Sequence, residues 1–148
     1  MSLWVRHKMA MQFLYAMNFL HKHDVCHRDL SYGNVLIHTY DDGAFAVKVS
    51  DFGLAKERNS DLTSTGSSMK GSIEDPALKS FKDFKPVNDI YSIGFILNYI
   101  FTGRRDLLAD GSRLGSIIQK CSATNPADRY QTVKGIIEDM KKTECPVG

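Results

Sequence analysis

Residues 27–34 read HRDLSYGN, and residues 51–53 read DFG. In the first motif Asp29 and Asn34 stand five positions apart on a polar loop, so both side chains can face one small volume. An aspartate there can accept the proton of a hydroxyl nucleophile, and an asparagine oxygen can hold a hard cation such as Mg²⁺. If a hairpin folds between the motifs, Asp51 completes the cation site. One base and two oxygen ligands are typical of phosphoryl transfer.

The segments around these motifs predict a helix followed by a β-hairpin. From Trp4 to about His23 no Pro or Gly occurs, and apolar residues recur at helical spacing. Residues 35–37 are apolar, residues 41–43 read DDG, and residues 45–49 alternate between apolar and other side chains. This is the pattern of two strands joined by a tight turn. The predicted hairpin covers residues 35–50, between the two motifs.

The second half of the chain predicts a loop and three helices. Residues 56–72 are rich in Ser, Thr, Asn and Gly, which indicates a long exposed loop. Val87–Phe101 is apolar on nearly every face and predicts a buried helix, and Leu114–Cys121 and Val133–Met140 predict two amphipathic ones. The fold class is therefore α+β and mainly α, packed around the Val87–Phe101 helix.

Composition bounds the remaining possibilities. A chain of 148 residues predicts a single domain over residues 1–148. Its net charge of +2, from 19 basic and 17 acidic residues, is too balanced to indicate a nucleic-acid partner. The longest apolar stretch, Ile90–Phe101, is shorter than the roughly 20 residues of a membrane span. Three cysteines without a CxxC pair indicate neither a disulfide framework nor a zinc site. We expect a cytoplasmic protein that binds no membrane.

The motifs together resemble those of the protein kinase family. HRDLSYGNVL followed by DFG is similar to the family's catalytic loop and metal-binding motif. Residues 71–77, 88–94 and 125–130 resemble, in order, the end of an activation segment, the start of a central buried helix and a loop with a late arginine. The resemblance runs from about Leu14 to Met140. It implies the large C-terminal lobe of a kinase, with ATP and Mg²⁺ as cofactors and a protein substrate phosphorylated on Ser or Thr.

The resemblance also implies a role for each matching residue. Asp29 would be the catalytic base, and Asn34 and Asp51 would be catalytic through the Mg²⁺ and ATP phosphates that they bind. His27 would be a structural spine residue, and Arg28 would pair with a phosphorylated activation loop. The remaining structural positions are Phe52 and Gly53 of the metal-binding motif, Asp89 as anchor of the catalytic-loop backbone, and Arg129 as the late arginine.

Four departures from the family pattern carry expectations of their own. Asp29 has only 28 residues before it, so we expect the N-terminal ATP-binding lobe to be absent and the chain alone to be inactive. Ser31 replaces a usual lysine, and Gly33 replaces the arginine of tyrosine kinases. Ala77 replaces the glutamate that usually pairs with Arg129, so that ion pair cannot form as usual. The short stretch between Gly103 and Leu114 leaves no room for a further, substrate-docking helix.

Two alternatives stay open. Ser31, Ala77 and the missing lobe also fit a pseudokinase or interaction module, which would form a homodimer or bind a partner through the surface that the missing lobe leaves. A small-molecule kinase of related fold often has Gly before the Asn of its catalytic loop, as in Gly33-Asn34. Arg28, the complete DFG motif and the Ser/Thr-rich loop favour the protein kinase.

Overall fold

The computed structural model describes residues 1–51 and 73–143. Its helices and strands are, in chain order, α1 (Leu3–Lys22), β1 (Val35–Thr39), β2 (Phe45–Val49), α2 (Pro86–Thr102), α3 (Arg113–Cys121) and α4 (Val133–Lys141). These elements confirm an α+β fold that is mainly α, with one small antiparallel sheet. The expected loop over residues 56–72 lies outside the described residues, as do Phe52 and Gly53.

Ser2 caps the start of helix α1, since its hydroxyl accepts a hydrogen bond from the Val5 N–H at 3.3 Å. A serine N-cap of this kind stabilises a helix by about 1 kcal/mol. The buried side chains recur every three or four residues and therefore share one face: Met9, Ala10, Phe13, Leu14, Met17 and Leu20. That face packs against α2, α4 and β2. The predicted helix agrees with α1 to within one residue at each end.

The hairpin forms where the alternating pattern predicts it. β1 and β2 pair antiparallel, with Val35 opposite Val49. Gly43 turns the chain at φ +84°, a conformation that glycine adopts without steric cost. Gln12 of α1 fixes the second strand, because its Oε1 accepts the Val47 N–H at 2.8 Å. The register brings Asn34, the last residue of the first motif, next to Ser50, the residue directly before the second motif.

Helix α2 is the central element of the described fold. Pro86 at its first position matches the fixed φ of a helix start, and Gly103 ends it in the left-handed region at φ +68°. The helix crosses α3 closely at Gly94, where an added Cβ would lie 2.8 Å from the Cβ of Cys121. Four polar side chains are buried along α2, namely Asn88, Asp89, Ser92 and Asn98. Buried polar groups need partners, so these residues tie α2 to the surrounding loops.

Helices α3 and α4 complete the core. Each starts at a hydroxyl N-cap: Ser112 accepts the Gly115 N–H at 3.0 Å and Thr132 accepts the Gly135 N–H at 3.2 Å. α3 packs on α2, and α4 packs on α1 and α3. No helix within the described residues has the length and apolar character that crossing a bilayer requires.

The connection between α2 and α3 contains no helix, in agreement with the expectation from its length. Asn98, fully buried, organises it: its Nδ2 donates to the carbonyls of Arg104 and Asp106 at 2.9 Å each. Its Oδ1 accepts the Leu108 N–H, also at 2.9 Å. One asparagine side chain thus satisfies three backbone groups of the connection, which therefore follows a defined path without secondary structure of its own.

Candidate active site

The loop of residues 27–34 is held from inside by His27, whose side chain is fully buried. Its Nδ1 accepts the Asp29 N–H at 3.2 Å, so the ring proton lies on Nε2. Nε2 donates to the carbonyl of Ser50 at 2.7 Å. His27 therefore joins the 27–34 loop to the residue directly before Asp51.

Asn34 joins the same two segments from the other side. Its Nδ2 donates to the carbonyl of Asp29 at 2.7 Å, and its own carbonyl accepts the Ser50 N–H at 2.8 Å. With Nδ2 engaged, Oδ1 is the side-chain atom that can face a cation. The structure thus brings Asp29, Asn34 and the backbone leading to Asp51 together, as the hairpin argument from the sequence required.

Asp51 leaves β2 in an unusual backbone conformation. Its φ is +59° and its carboxylate is exposed, while the preceding Ser50 is fixed by His27 and Asn34. Arg28, in the 27–34 loop, also has a positive φ of +75°. Non-glycine residues in the left-handed region are uncommon and concentrate at functional sites. The Asn34 amide oxygen and the Asp51 carboxylate are oxygen donors, the ligand type that Mg²⁺ prefers, so the donor set fits that ion.

Asp89 fixes the backbone of the 27–34 loop from α2. Its carboxylate is fully buried and accepts the N–H of His27 at 2.7 Å and that of Arg28 at 3.1 Å. The Nε2 of His21, at the end of α1, lies 2.8 Å from the same carboxylate. The sequence reasoning missed His21 and Ser50. The available signal for His21 was its place in the last turn of a helix, six residues before His27.

Arg28 lies beside two aromatic rings. Its guanidinium carbon is 5.9 Å from the ring centre of Phe81 and 5.8 Å from that of Phe84, within cation–π range. The phosphorylated loop that the resemblance assigns to Arg28 falls in residues 52–72, outside the described part of the chain. That role stays a prediction.

Arg129 forms a buried ion pair, though not through position 77, in agreement with the expectation drawn from Ala77. Its partner is Asp75, which lies two residues before Ala77. The guanidinium Nη1 and Nη2 donate to the two carboxylate oxygens, and the Nη2 bond is 2.8 Å long. The Ala77 N–H and the Asn88 side chain donate to the same carboxylate at 2.9 Å each. Burial opposes ionisation of Asp75, but these hydrogen bonds outweigh it and lower the pKa of Asp75 below its usual value. A carboxylate at position 75 thus replaces the glutamate that is missing at position 77.

Ser31 is buried and places no cation at its position in the 27–34 loop. A cation does lie next to that loop, since the guanidinium carbon of Arg105 is 4.8 Å above the ring of Tyr32. Desolvation raises the pKa of Tyr32, against a smaller lowering by Arg105, so its phenol stays protonated at neutral pH. Arg105 comes from the α2–α3 connection, far from the loop in sequence, and no local pattern could have indicated the contact.

Comparisons with known proteins agree with this geometry. The sequence profile of the protein kinase domain matches residues 1–142. The serine/threonine-protein kinase PknB of Mycolicibacterium smegmatis is 27% identical over 157 residues, covering 84% of this chain and 24% of the relative. Mitogen-activated protein kinase kinase kinase 12 of Rattus norvegicus is 42% identical over 90 residues, covering 59% of this chain and 9% of the relative.

A solved structure shares the fold. The crystal structure of the Mycobacterium tuberculosis PknI kinase domain superposes with a TM-score of 0.63 at 19% identity. The match covers 96% of this chain and 56% of the PknI chain. The chain therefore spans about half of a solved kinase domain and about a quarter of the length of the curated relatives that it matches over most of its length.

Proposed function

The chain belongs to the protein kinase family, and we propose that its parent protein transfers the γ-phosphoryl group of ATP to serine or threonine hydroxyls of a protein substrate. The observation that carries this proposal is the double attachment of Asn34. Its side chain binds the carbonyl of Asp29, and its main chain binds Ser50 next to Asp51. The three residues that phosphoryl transfer needs therefore share one scaffold.

Each residue has a distinct task in the proposed reaction. Asp29 accepts the proton of the attacking hydroxyl, and its backbone N–H and carbonyl are fixed by His27 and Asn34. Asn34 Oδ1 and the Asp51 carboxylate would hold Mg²⁺, which would supply charge neutralisation at the phosphates. Asp51, with its positive φ of +59°, directly follows the hydrogen-bonded Ser50.

The nucleotide clamp is proposed to come from a small lobe outside this chain. Two facts support this: the chain spans 56% of the PknI chain, and the described elements before the 27–34 loop are limited to α1. A protein kinase holds ATP with a Gly-rich loop and a strand lysine that precede the catalytic loop. We therefore expect negligible phosphoryl transfer from residues 1–148 alone.

Titration with ATP, in the presence and absence of Mg²⁺, tests the proposal on this chain and on the parent protein. We expect the parent to bind ATP more tightly with Mg²⁺, and Asp51→Asn to remove that dependence while leaving Mg²⁺-free binding intact. Asp41→Asn, an exposed aspartate in the hairpin turn, is the matched control and should behave as the wild type. If Mg²⁺ dependence survives in Asp51→Asn, the assigned metal ligands are wrong.

Ser31 favours a second candidate function, that of a pseudokinase acting as an interaction module. Without a cation at this buried position, charge on the transferred phosphoryl group is less well neutralised. Ala77 no longer supports this alternative, because Asp75 restores the ion pair to Arg129. Binding of ATP by the parent without any phosphorylation of protein would favour the pseudokinase.

A further inference from the structure

His21, Cys26 and Asp89 converge from three segments of the chain. His21 lies in the last turn of α1, Cys26 in the segment before the 27–34 loop, and Asp89 in the first turn of α2. Three donor atoms lie within 4.8 Å of one another: the imidazole Nε2, the thiol sulfur and a carboxylate oxygen. We propose that these three side chains form a zinc-binding site, separate from the proposed Mg²⁺ ligands Asn34 and Asp51.

The donor set selects the ion. Nitrogen, sulfur and oxygen donors together suit Zn²⁺, whereas Mg²⁺ requires oxygen ligands and retains its waters. Three protein ligands leave the fourth tetrahedral position to a water molecule. The donor atoms of a tetrahedral zinc site lie about 3.3–3.7 Å apart, as the usual Zn–N and Zn–S bond lengths dictate. Zinc binding would therefore require His21 Nε2 and the Asp89 oxygen to move apart from 2.8 Å, within a cluster whose three donor atoms lie within 4.8 Å of one another.

The groups that would support the site are already in place. Metal-bound carboxylates are normally oriented by further hydrogen bonds. The Asp89 carboxylate receives the N–H groups of His27 and Arg28 at 2.7 and 3.1 Å, and its side chain is 1% exposed. These backbone donors use one lone pair on each oxygen, and the oxygen that accepts the His27 N–H also lies 2.8 Å from His21 Nε2. Zinc would replace the proton shared by these two groups once Nε2 and the carboxylate oxygen move apart from 2.8 Å, and both backbone hydrogen bonds would persist.

Proton and charge balance are simple. His21 would bind zinc through Nε2 and keep a proton on Nδ1. The Cys26 thiol releases one proton to solvent and binds as thiolate. No group is oxidised or reduced. Cys26 is available for this role, since it is a free thiol that makes no hydrogen bond within residues 1–51 and 73–143.

Zinc at this position would clamp α1, the 27–34 loop and α2 together. Binding to the native state alone raises stability, and the added ligands act on the carboxylate that fixes the loop backbone. We expect zinc in large excess over its Kd to raise the Tm by roughly 5–10 °C. The same ion should slow amide hydrogen exchange at His27 and Arg28, whose N–H groups bind Asp89.

The experiment uses Co²⁺ as an optical probe and Zn²⁺ as competitor on the reduced, metal-free chain. We expect a thiolate-to-cobalt absorption band that one equivalent of Zn²⁺ removes and excess Mg²⁺ does not. Cys26→Ser should abolish the band, and His21→Gln, which keeps a hydrogen-bond donor toward Asp89, should weaken Zn²⁺ binding at least about tenfold. Cys145→Ser is the thiol control and should retain both the cobalt absorption band and the wild-type affinity for Zn²⁺.

Three outcomes would overturn the proposal. The band persists in Cys26→Ser, the band disappears in Cys145→Ser, or Zn²⁺ causes neither a band change nor a Tm shift in the wild type. Because no nucleotide is present, these results are independent of the proposed phosphoryl transfer. Asp51→Asn separates the two sites further, since it should leave zinc affinity unchanged.

Discussion

Asp89 and Asp75 are both buried carboxylates that bind across the fold, but their partners differ in kind. Asp89 receives two backbone N–H groups from the 27–34 loop, whereas Asp75 receives the guanidinium of Arg129 through both oxygens. Backbone donors have fixed positions, so only one residue of α2 can reach them. A guanidinium on a long side chain can be met from more than one position. The first contact therefore follows the family motif, and the second has moved by two residues.

The turn formed by residues 75–77 explains how the carboxylate that binds Arg129 can lie at position 75 instead of position 77. The Ala77 N–H donates to the Asp75 carboxylate at 2.9 Å, so the backbone of position 77 lies next to that carboxylate. A carboxylate on a short side chain at 75 and one on a longer side chain at 77 can then face the same guanidinium. Arg129 also donates to the carbonyls of Ala123 and Val87, which keep its position independent of the acid.

The largest effect in this comparison should come from removing the guanidinium. Arg129→Met leaves the buried Asp75 carboxylate without its counter-charge and should cost about 3–5 kcal/mol of unfolding free energy. Urea denaturation of the wild type and the variant measures it. Lys142→Met is the control, because the Lys142–Asp139 pair is exposed and 3.8 Å long, and it should cost less than about 0.5 kcal/mol. Equal effects of the two substitutions would show that the buried pair is not special.

Asp89→Asn should produce the next largest effect and lower the unfolding free energy by about 2 kcal/mol. Whichever way the amide turns, its NH₂ group faces a backbone N–H of His27 or Arg28, and one buried donor loses its acceptor. Hydrogen exchange at those two amides should accelerate with the loss of stability. Asp83→Asn, at an exposed position, is the matched control. Unchanged exchange at both amides would mean that Asp89 does not fix the loop.

The sequence predicted the hairpin, the four helices and the proximity of Asp29 and Asn34 to the backbone before Asp51, because each rests on local patterns. Alternation sets a strand register, and a two-stranded register places the flanking residues together. The Asp75–Arg129 pair spans 54 positions, and the contact of Arg105 with Tyr32 depends on the path that Asn98 imposes on the α2–α3 connection. Such contacts follow from tertiary packing, which no local spacing encodes.

A transposition experiment tests whether the ion pair can return to position 77. In an Asp75→Ala background, Ala77→Glu should recover about 1–2 kcal/mol of unfolding free energy, because the longer side chain reaches the guanidinium of Arg129 from the same turn. In the wild type, Ala77→Glu should not raise the unfolding free energy, since Asp75 already accepts from both guanidinium donors of Arg129. Ala77→Gln has the same length without the charge and is the control. If Gln and Glu act alike, position 77 does not face Arg129.

The smallest effect should be the pH dependence of the Asp75 contribution. Burial opposes ionisation, but the hydrogen bonds from Arg129, Asn88 and Ala77 lower the pKa of Asp75 in the folded chain below its usual value of 3.8. A lowered folded-state pKa stabilises the fold above pH 3.8, and the contribution disappears as the pH falls through the folded-state value. The stability gap between wild type and Asp75→Asn should therefore be constant near neutrality and narrow only below about pH 4. A gap that already narrows near pH 6 would show that a group other than the Asp75 carboxylate controls it, and the lowered pKa of Asp75 would then not explain the difference between the two carboxylates.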